Sequence, residues 1–259
     1  MATEIDAVPA GLTLAAMPSI AGLTIELIDR CASTNAELAQ RAAQGAVSGC
    51  VLVAREQSAG RGRLGRPWLA PPGSGLTFSL LWRFAPATPL AGLPLAVGCA
   101  CAEALGRLGL AVGLKWPNDL MLGTGKLGGI LVELAGAGQA VIGIGINVRR
   151  PPTVAAEIAA TVAFIDDVDA SLTPVTVLAA LLRELVSALP RFAARGLTDF
   201  HAAWLARAIW LDEPVAIIDG ERRQEGRFAG IDGDGALLLA DAAGRIDRIL
   251  AGDVSLRPA

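Results

Sequence analysis

Apolar and polar positions alternate along several stretches of the chain with the period of two that is typical of half-buried strands, and other short runs are apolar throughout. Glycines 143 and 145 fall on one side of the last run, where they would let a ligand or another backbone approach closely. A turn at residues 123–125 is expected to join the fourth run to the fifth. The predicted strands are residues 24–29, 50–54, 75–82, 114–122, 126–134 and 140–148.

Three other stretches have the apolar spacing of helices. Residues 34–37 form a capping-box pattern, which predicts a helix that begins there and ends near Gly45. Residues 89–108 combine helical periodicity with small side chains, as in a core helix. Residues 174–193 have the spacing of a long amphipathic helix, with Thr173 as its N-cap.

The first helix start carries three polar side chains. Ser33, Thr34 and Asn35 lie where a strand turns into a helix. Unpaired N–H groups and hydroxyls at such a place suit recognition of a polar ligand group, but the same residues could serve only as caps. The two interpretations have about equal weight on this segment alone.

A segment rich in arginine and glycine, residues 55–68, follows the second predicted strand. Arginine forks and glycine backbone amides can close around an anion, and ordering such a segment costs entropy. We therefore expect a loop that is disordered when empty and folds over a phosphate or carboxylate. Taken alone, the arginines with Trp68 as a stacking platform would also suit a nucleic-acid backbone.

Composition and charge narrow the classes of protein to which this chain could belong. The 259 residues are 53% hydrophobic and 18% charged, enough for a large core, and the net charge of -3 argues weakly against a nucleic-acid binder held by bulk electrostatics. Residues 1–19 contain no Lys or Arg, unlike a signal peptide, and no apolar run reaches membrane-spanning length, so we expect a cytoplasmic protein. Of the four cysteines, none has zinc spacing, and Cys99 and Cys101 are expected to be buried thiols.

Two GxGxxG matches, at residues 60–65 and 123–128, fail as dinucleotide fingerprints. The first runs into prolines and the second into a strand-like segment, so neither opens the helix that would hold a pyrophosphate. Lys126 is not a Walker lysine either, because Leu127 follows it. Nucleotide recognition by these two familiar motifs is therefore excluded.

Five motifs follow one another along the chain: Ser33-Thr34-Asn35, Gln57 to Trp68, Lys115-Trp116-Pro117-Asn118-Asp119, Gly125 to Glu133, and Gly143-x-Gly145-x-Asn147. In this order they resemble the motifs of the biotin protein ligases, and the resemblance is strong over roughly residues 23–150. Residues 213–258 resemble, more softly, the small SH3-like β-barrel that ends these enzymes, with strands at 215–218, 227–231, 236–239 and 254–257 and turns at Asp219-Gly220 and 232–235.

The resemblance implies an α/β (α+β) fold: a mixed β-sheet flanked by helices, related to class II aminoacyl-tRNA synthetases, followed by the barrel. We expect a flexible N-terminal tail at 1–22, a catalytic biotin- and ATP-binding domain at 23–210 and an SH3-like domain at 211–259. Some members carry an N-terminal helix-turn-helix domain. Some twenty residues precede the first predicted strand here, so DNA binding is not expected.

The implied reaction joins the carboxylate of biotin to the α-phosphate of ATP, which gives biotinyl-AMP and pyrophosphate. The biotinyl group then passes to a lysine of a biotin carboxyl carrier domain of acetyl-CoA carboxylase or a related enzyme. Cations and Mg²⁺ would offset the repulsion between the two anions. No enzyme nucleophile is needed in the second step, which agrees with a structural role for the sole histidine, His201.

The resemblance also implies the roles of particular residues. Arg63, Lys126 and Asp119 are the expected catalytic residues, and Asp119 is the expected Mg²⁺ ligand. The expected ATP or adenylate contacts are Arg61, Arg63, Arg66, Trp68, Asn118, Lys126 and Asn147. The expected biotin contacts are Ser33, Thr34, Asn35, Gln57, Arg61, Gly62, Arg63, Lys126, Gly128 and Gly129.

Alternatives and departures stay open at this point. The nearest enzymatic rival is lipoate or octanoate attachment, which relatives perform on a similar scaffold, and a third alternative is a biotin-binding protein without catalysis. Leu64 stands where the family commonly has a second adjacent arginine, so we expect retained activity with altered retention of the adenylate. Homodimer formation is open, because no register or charge pattern decides it.

Overall fold

The structure, a computed structural model, describes residues 12–152, 161–219, 221–250 and 254–258. Residues 1–11 of the expected N-terminal tail and Gly220 of the expected Asp219-Gly220 turn lie outside these ranges. The helices are α1 (Thr34–Ala43), α2 (Leu93–Gly106), α3 (Pro174–Arg195) and α4 (His201–Leu205). The strands are β1 (Thr24–Cys31), β2 (Cys50–Gln57), β3 (Gly75–Arg83), β4 (Val112–Lys115), β5 (Asp119–Leu122), β6 (Gly125–Gly136), β7 (Gln139–Asn147), β8 (Pro214–Asp219), β9 (Arg222–Ile231), β10 (Leu237–Ala240), β11 (Ile246–Ile249) and β12 (Val254–Pro258).

Seven strands form one mixed sheet in the order β1-β2-β3-β7-β6-β5-β4. β1 and β2 are parallel and every other neighbouring pair is antiparallel. α1 packs on one face, while α2 packs on the other and is itself covered by α3. The expected mixed sheet flanked by helices is confirmed.

The period of two explains how each strand serves both faces. Leu52 and Leu81 pack under α1, whereas Val51, Val53 and Leu80 belong to the large core on the opposite face. Successive side chains of a strand point to opposite faces, so a strand covered on both sides is apolar at nearly every position. This is why β2 has a continuous apolar run over residues 50–54.

Two predicted boundaries were wrong. Residues 114–122 are not one strand but the antiparallel pair β4 and β5, in which Lys115 faces Asp119 across a reversal. Pro117 lies in that reversal and has no N–H to donate to a strand ladder. The helix predicted from residue 89 begins at Leu93, because Gly92 has a left-handed backbone with φ of 76°.

The N-cap of α3 agrees with the sequence: the Thr173 hydroxyl accepts a hydrogen bond from the Thr176 N–H at 3.1 Å. The capping box predicted for α1 does not form. The side chain of Ser33, the actual N-cap, makes no capping hydrogen bond, and Glu37 pairs with Arg41. The Ser33 hydroxyl is therefore not used to cap α1.

The last five strands form an antiparallel sheet in the order β11-β10-β9-β8-β12. Its apolar side continues the main core, where Phe228 packs edge-on against Trp204 with ring centroids 6.2 Å apart. β11 was not predicted, because Asp247 and Arg248 interrupt a short and largely exposed strand. Among the described helices, none has the length and apolarity that a membrane span requires.

Candidate active site

A cleft of about 1020 Å³, counting the part open to solvent, lies between the arginine- and glycine-rich segment and the large sheet. The part of this segment that follows β2, residues 58–68, is called the RG loop below. Most of the predicted site residues line the cleft together. The predicted residues that line it are Ser33, Thr34, Asn35, Gln57, Arg61, Gly62, Arg63, Arg66, Trp68, Asn118, Asp119, Lys126 and Gly129.

Backbone hydrogen bonds give the RG loop a defined shape over the cleft. Gly62 N–H donates to the Arg66 carbonyl at 2.8 Å, and Trp68 N–H donates to the Gly60 carbonyl at 2.8 Å. Leu64 has a left-handed backbone, with φ of 60°, and is 44% exposed at the tip. The prediction that ligand binding orders this loop stays a prediction.

One end of the cleft holds a charged cluster built from neighbouring strands. Lys126 on β6 donates to the Asp119 carboxylate at 2.5 Å, and Lys115 on β4 lies 3.7 Å from the other carboxylate oxygen. Burial lowers the pKa of Lys115, and the nearby Arg257 and Lys126 add to this, while Asp119 opposes it. Asp119 therefore holds two lysines side by side.

The cleft has a large excess of positive charge. Among its described lining residues Asp119 is the sole carboxylate, against six cationic side chains. Such a site favours an anion, because the cations that would bind it are already gathered around one cleft. The six cationic residues are Arg61, Arg63, Arg66, Lys115, Lys126 and Arg257.

Lys115 and Arg257 were missed as site residues by sequence reasoning. Lys115 was within a recognised motif but received no role. Arg257 comes from β12 of the C-terminal sheet, and nothing in its local pattern distinguishes it from an ordinary surface arginine. Only the packing of one sheet against the other brings it to the cleft.

The other end of the cleft is polar but uncharged. Gln57 Oε1 accepts a hydrogen bond from the Thr34 N–H at 2.7 Å and lies 3.0 Å from the Thr34 hydroxyl. Ser33 and Thr34 are buried, with 6% and 3% exposure. This end can exchange hydrogen bonds with a neutral polar group, and it would penalise a purely apolar one, which would leave buried donors and acceptors unpaired.

Asn35 lines the cleft, but protein atoms occupy its amide. Nδ2 donates to the Glu133 carboxylate at 2.7 Å and to the Leu131 carbonyl at 3.2 Å, and Oδ1 accepts from the Ser79 hydroxyl at 2.6 Å. A Cβ on Gly143 would lie 2.3 Å from Asn35 Oδ1, so this glycine makes room for the asparagine.

Trp68 lies against the floor of the cleft. A Cβ on Gly145 would lie 2.5 Å from its indole ring, so the second glycine of β7 accommodates Trp68. The indole Nε1 is buried and has no hydrogen-bond partner within the ranges that the structure describes. The close approach predicted at Gly143 and Gly145 is thus made by protein side chains.

Two predicted contact residues, Gly128 and Asn147, do not line the cleft, and a third, Asn118, lines it with its amide bonded to the protein. A Cβ on Gly128 would lie 2.5 Å from the Gly145 carbonyl oxygen, so Gly128 allows β6 and β7 to pack and does not line the cleft. The Asn147 amide donates to the carbonyls of Lys126 and Ala163, which ties β6 to residues 161–163 outside the cleft. Asn118 lines the cleft, but its amide donates to the Ile130 carbonyl at 2.7 Å. We do not retain ligand contacts for Gly128 and Asn147.

The carboxylate expected to bind Mg²⁺ is engaged by lysines. Both Asp119 oxygens face a lysine Nζ, at 2.5 and 3.7 Å. No group of three or more His, Cys, Asp or Glu side chains suited to a metal occurs in the part of the chain that the structure describes. These residues do not fit a metal ion held by protein ligands, since Lys126 occupies the cation position beside Asp119.

The histidine and the two helical cysteines considered in the sequence have structural positions away from the cleft. His201 Nε2 lies 2.8 Å from the Ile231 carbonyl oxygen, which joins α4 to the C-terminal sheet. Cys99 and Cys101 are buried free thiols, as expected, and burial raises the pKa of Cys99 to about 12. Neither group lines the cleft.

Comparison with known proteins agrees with this geometry. Residues 27–147 match the biotin/lipoate A/B protein ligase family, and residues 211–257 match the biotin protein ligase C-terminal domain. A biotin protein ligase from Aquifex aeolicus, solved in complex with biotin and ATP, has a TM-score of 0.80 and 30% sequence identity, over 91% of this chain and 99% of that one. Fold and site thus define the biotin/lipoate class of protein ligases.

Two relatives narrow the class. The bifunctional ligase/repressor BirA of Escherichia coli is 39% identical over 88% of this chain and 72% of its own length. The biotin--[acetyl-CoA-carboxylase] ligase of Paracoccus denitrificans is 37% identical over 85% of this chain and 95% of its own length. The chain belongs to the biotin protein ligase family, as the sequence motifs indicated.

Proposed function

We propose that this chain is an ATP-dependent biotin protein ligase that forms biotinyl-AMP and pyrophosphate and then biotinylates a carrier lysine. The observation that carries the proposal is the polarity of the cleft, which is neutral on the side of α1 and β2 and cationic on the side of β4 and β6. Biotin has the same polarity, with a neutral ureido head and a carboxylate tail. The relatives named above support the same activity.

In our proposal the ureido head lies against Ser33, Thr34 and Gln57. A buried urea needs both donors and acceptors, which these side chains provide. The dithiolane ring of lipoate has no such groups and would leave the polar end unpaired. Sites built to hydrogen-bond a substrate reject analogues that lack the bonding groups.

The carboxylate of biotin and the α-phosphate of ATP would meet near Lys126, under Arg61 and Arg63 of the RG loop. Two anions must approach each other there, and fixed cations reduce their repulsion and stabilise charge that builds up on the phosphoryl oxygens. Asp119 orients Lys115 and Lys126 by holding both at its carboxylate. Arg66, Trp68 and Asn118 complete the nucleotide side of the proposal.

The second step follows from the chemistry of the product. The carbonyl of a mixed anhydride is already activated by its phosphate leaving group, so a lysine amine of the carrier domain can attack it directly. The RG loop would cover the adenylate and exclude water until the carrier arrives. The proposed partner is a biotin carboxyl carrier domain, the proposed location is the cytoplasm, and Mg²⁺ would enter bound to the ATP phosphates.

The test is a two-stage assay with purified protein. Pyrophosphate release is measured with ATP and biotin, lipoate or octanoate, and biotin transfer to a purified carrier domain is then measured by streptavidin blot. We expect release with biotin alone, followed by transfer. Faster release with lipoate or octanoate would identify the rival enzyme, and biotin binding with no pyrophosphate release would identify a binding protein.

A further inference from the structure

A continuous chain of hydrogen-bonded side chains, buried in its middle and half-buried at its two ends, lies beneath the neutral end of the cleft. It begins at Gln57 and Thr34, passes through Ser79 on β3 and Asn35, and ends at Glu133 on β6. The Ser79 oxygen lies 2.7 Å from the Thr34 hydroxyl and 2.6 Å from Asn35 Oδ1. Ser79 is fully buried and was not singled out by any sequence motif.

The number of available protons determines which group donates and which accepts in each hydrogen bond between these side chains. Asn35 Nδ2 donates to the Glu133 carboxylate and the Leu131 carbonyl, which fixes the amide and turns Oδ1 toward Ser79. Because Oδ1 only accepts, the single Ser79 proton goes to Asn35. The Thr34 hydroxyl then has its proton taken within the protein, by Ser79 or by Gln57 Oε1.

The consequence is a fixed pattern of donors and acceptors at the cleft. With its proton used internally, Thr34 can offer a ligand only a lone pair. Gln57 Oε1 is held by the Thr34 N–H, so Nε2 is turned away from Thr34 toward Gly60, where an added Cβ would lie 2.9 Å from it, and Nε2 donates to no atom in the described ranges. One acceptor beside one donor matches the N–H and C=O edge of a cyclic urea.

We propose that Ser79 is a positioning residue for the head of biotin, acting through Thr34 and Asn35 to fix this donor and acceptor pattern. The inference rests on the proposed function, because the urea edge is its ligand. Ser79 does not touch the ligand itself. Glu133 anchors the far end of the chain, so the recognition of a neutral group depends on a carboxylate bonded to Asn35 on β6.

The experiment compares Ser79→Ala with Ser74→Ala in the complete chain. Ser74 is a matched control, because its buried hydroxyl also donates one hydrogen bond, to the Pro71 carbonyl at 2.7 Å, and does not line the cleft. Pyrophosphate release is measured with biotin varied at saturating ATP and then with ATP varied at saturating biotin. Thermal denaturation gives the stability of each variant.

We expect Ser79→Ala to raise the KM for biotin about tenfold and to leave the KM for ATP and kcat within about twofold, since one buried hydrogen bond is lost on the biotin side only. Ser74→Ala should lower stability without changing the KM for biotin. In the double variant with Thr34→Val, the effects should be far from multiplicative, because both act on the same contact. Should Ser79→Ala not fold, Ser79→Cys, whose thiol is a weak donor, should raise the KM severalfold.

An unchanged KM for biotin in a folded Ser79 variant would overturn the proposal, as would an equal rise in the KM for ATP or independent effects in the double variant. The wild-type protein separates this result from failure of the proposed function. Absence of biotin-dependent pyrophosphate release by the wild type would refute the function. Wild-type activity with an unaffected Ser79 variant would refute only the role of Ser79.

Discussion

The indole of Trp116 links the cleft to the C-terminal sheet. Trp116 lies between Lys115 and Pro117 in the reversal that joins β4 to β5, is 1% exposed, and donates from Nε1 to the Gly235 carbonyl at 3.0 Å. Gly235 belongs to the turn between β9 and β10. Trp116→Phe keeps an aromatic ring in place and removes this hydrogen bond.

Two effects determine how much Trp116→Phe should lower the free energy of unfolding. Leaving the buried Gly235 carbonyl without its donor costs about 1–3 kcal/mol. The smaller ring leaves a cavity beside a well-packed core, which adds about 1 kcal/mol for the lost apolar contact. We therefore expect the free energy of unfolding to fall by about 2–4 kcal/mol.

Activity should fall as well, because the same reversal positions Lys115 and Asp119. We expect kcat for pyrophosphate release to fall about tenfold at a temperature where the variant is fully folded. The control is Trp204→Phe, since Trp204 is also buried, packs on Phe228 of the C-terminal sheet and does not line the cleft.

The measurements are urea denaturation and steady-state pyrophosphate release for both variants. Trp204→Phe should lose stability with near wild-type kcat. Two results would refute the reasoning: a Trp116→Phe protein as stable and active as the wild type, or an equal loss of kcat in Trp204→Phe. The second would show that stability alone controls the rate.

Three further predictions concern the cleft. Lys126→Met should fold normally, by circular dichroism, yet release pyrophosphate a hundredfold or more slowly, and wild-type release would remove Lys126 from the catalytic set. Because the pKa of Lys115 is lowered from 10.5, the wild type should lose the Lys115 charge, and with it activity, at a lower pH than an ordinary lysine would. In Lys115→Arg the loss of activity should move to higher pH. Identical pH profiles of the two proteins would contradict a role for the Lys115 charge in activity. Leu64→Arg adds a cation at the tip of the RG loop and should slow adenylate release severalfold in a filter-binding assay, so equal release rates would show that position 64 is silent.

Local patterns sufficed for most of the secondary structure and for the family. The strand runs and the helix with Thr173 as its cap depend on the period of side chains and on local hydrogen bonds, which a short segment encodes by itself. They failed where the outcome depended on backbone geometry or distant neighbours. Residues 114–122 have the apolar content of one strand, but the chain reverses at Pro117.

The motifs located the cleft because most of its polar lining residues are close together in short segments of the sequence. The motifs did not predict which of their residues reach the cleft. Asn147 and Gly128 fit the motifs yet serve the joints between strands, while Arg257 reaches the cleft from the far end of the chain. A motif records residue identity, whereas the direction of a side chain depends on the strand register and on its neighbours.

By itself the sequence determined most of the strands, the three longer helices, the ordered motifs, and the concentration of arginine and glycine in one loop, since each is a property of neighbouring residues. The tertiary structure alone decided that Ser79 joins Thr34 to Asn35, that Gly143 and Gly145 accommodate protein side chains, and that Asp119 holds two lysines. The Ser79, Gly143 and Gly145 contacts join residues dozens of positions apart, and the two Asp119 contacts, four and seven positions apart, depend on the pairing of β5 with β4 and β6. They form only when strand register and packing bring those residues within hydrogen-bonding distance.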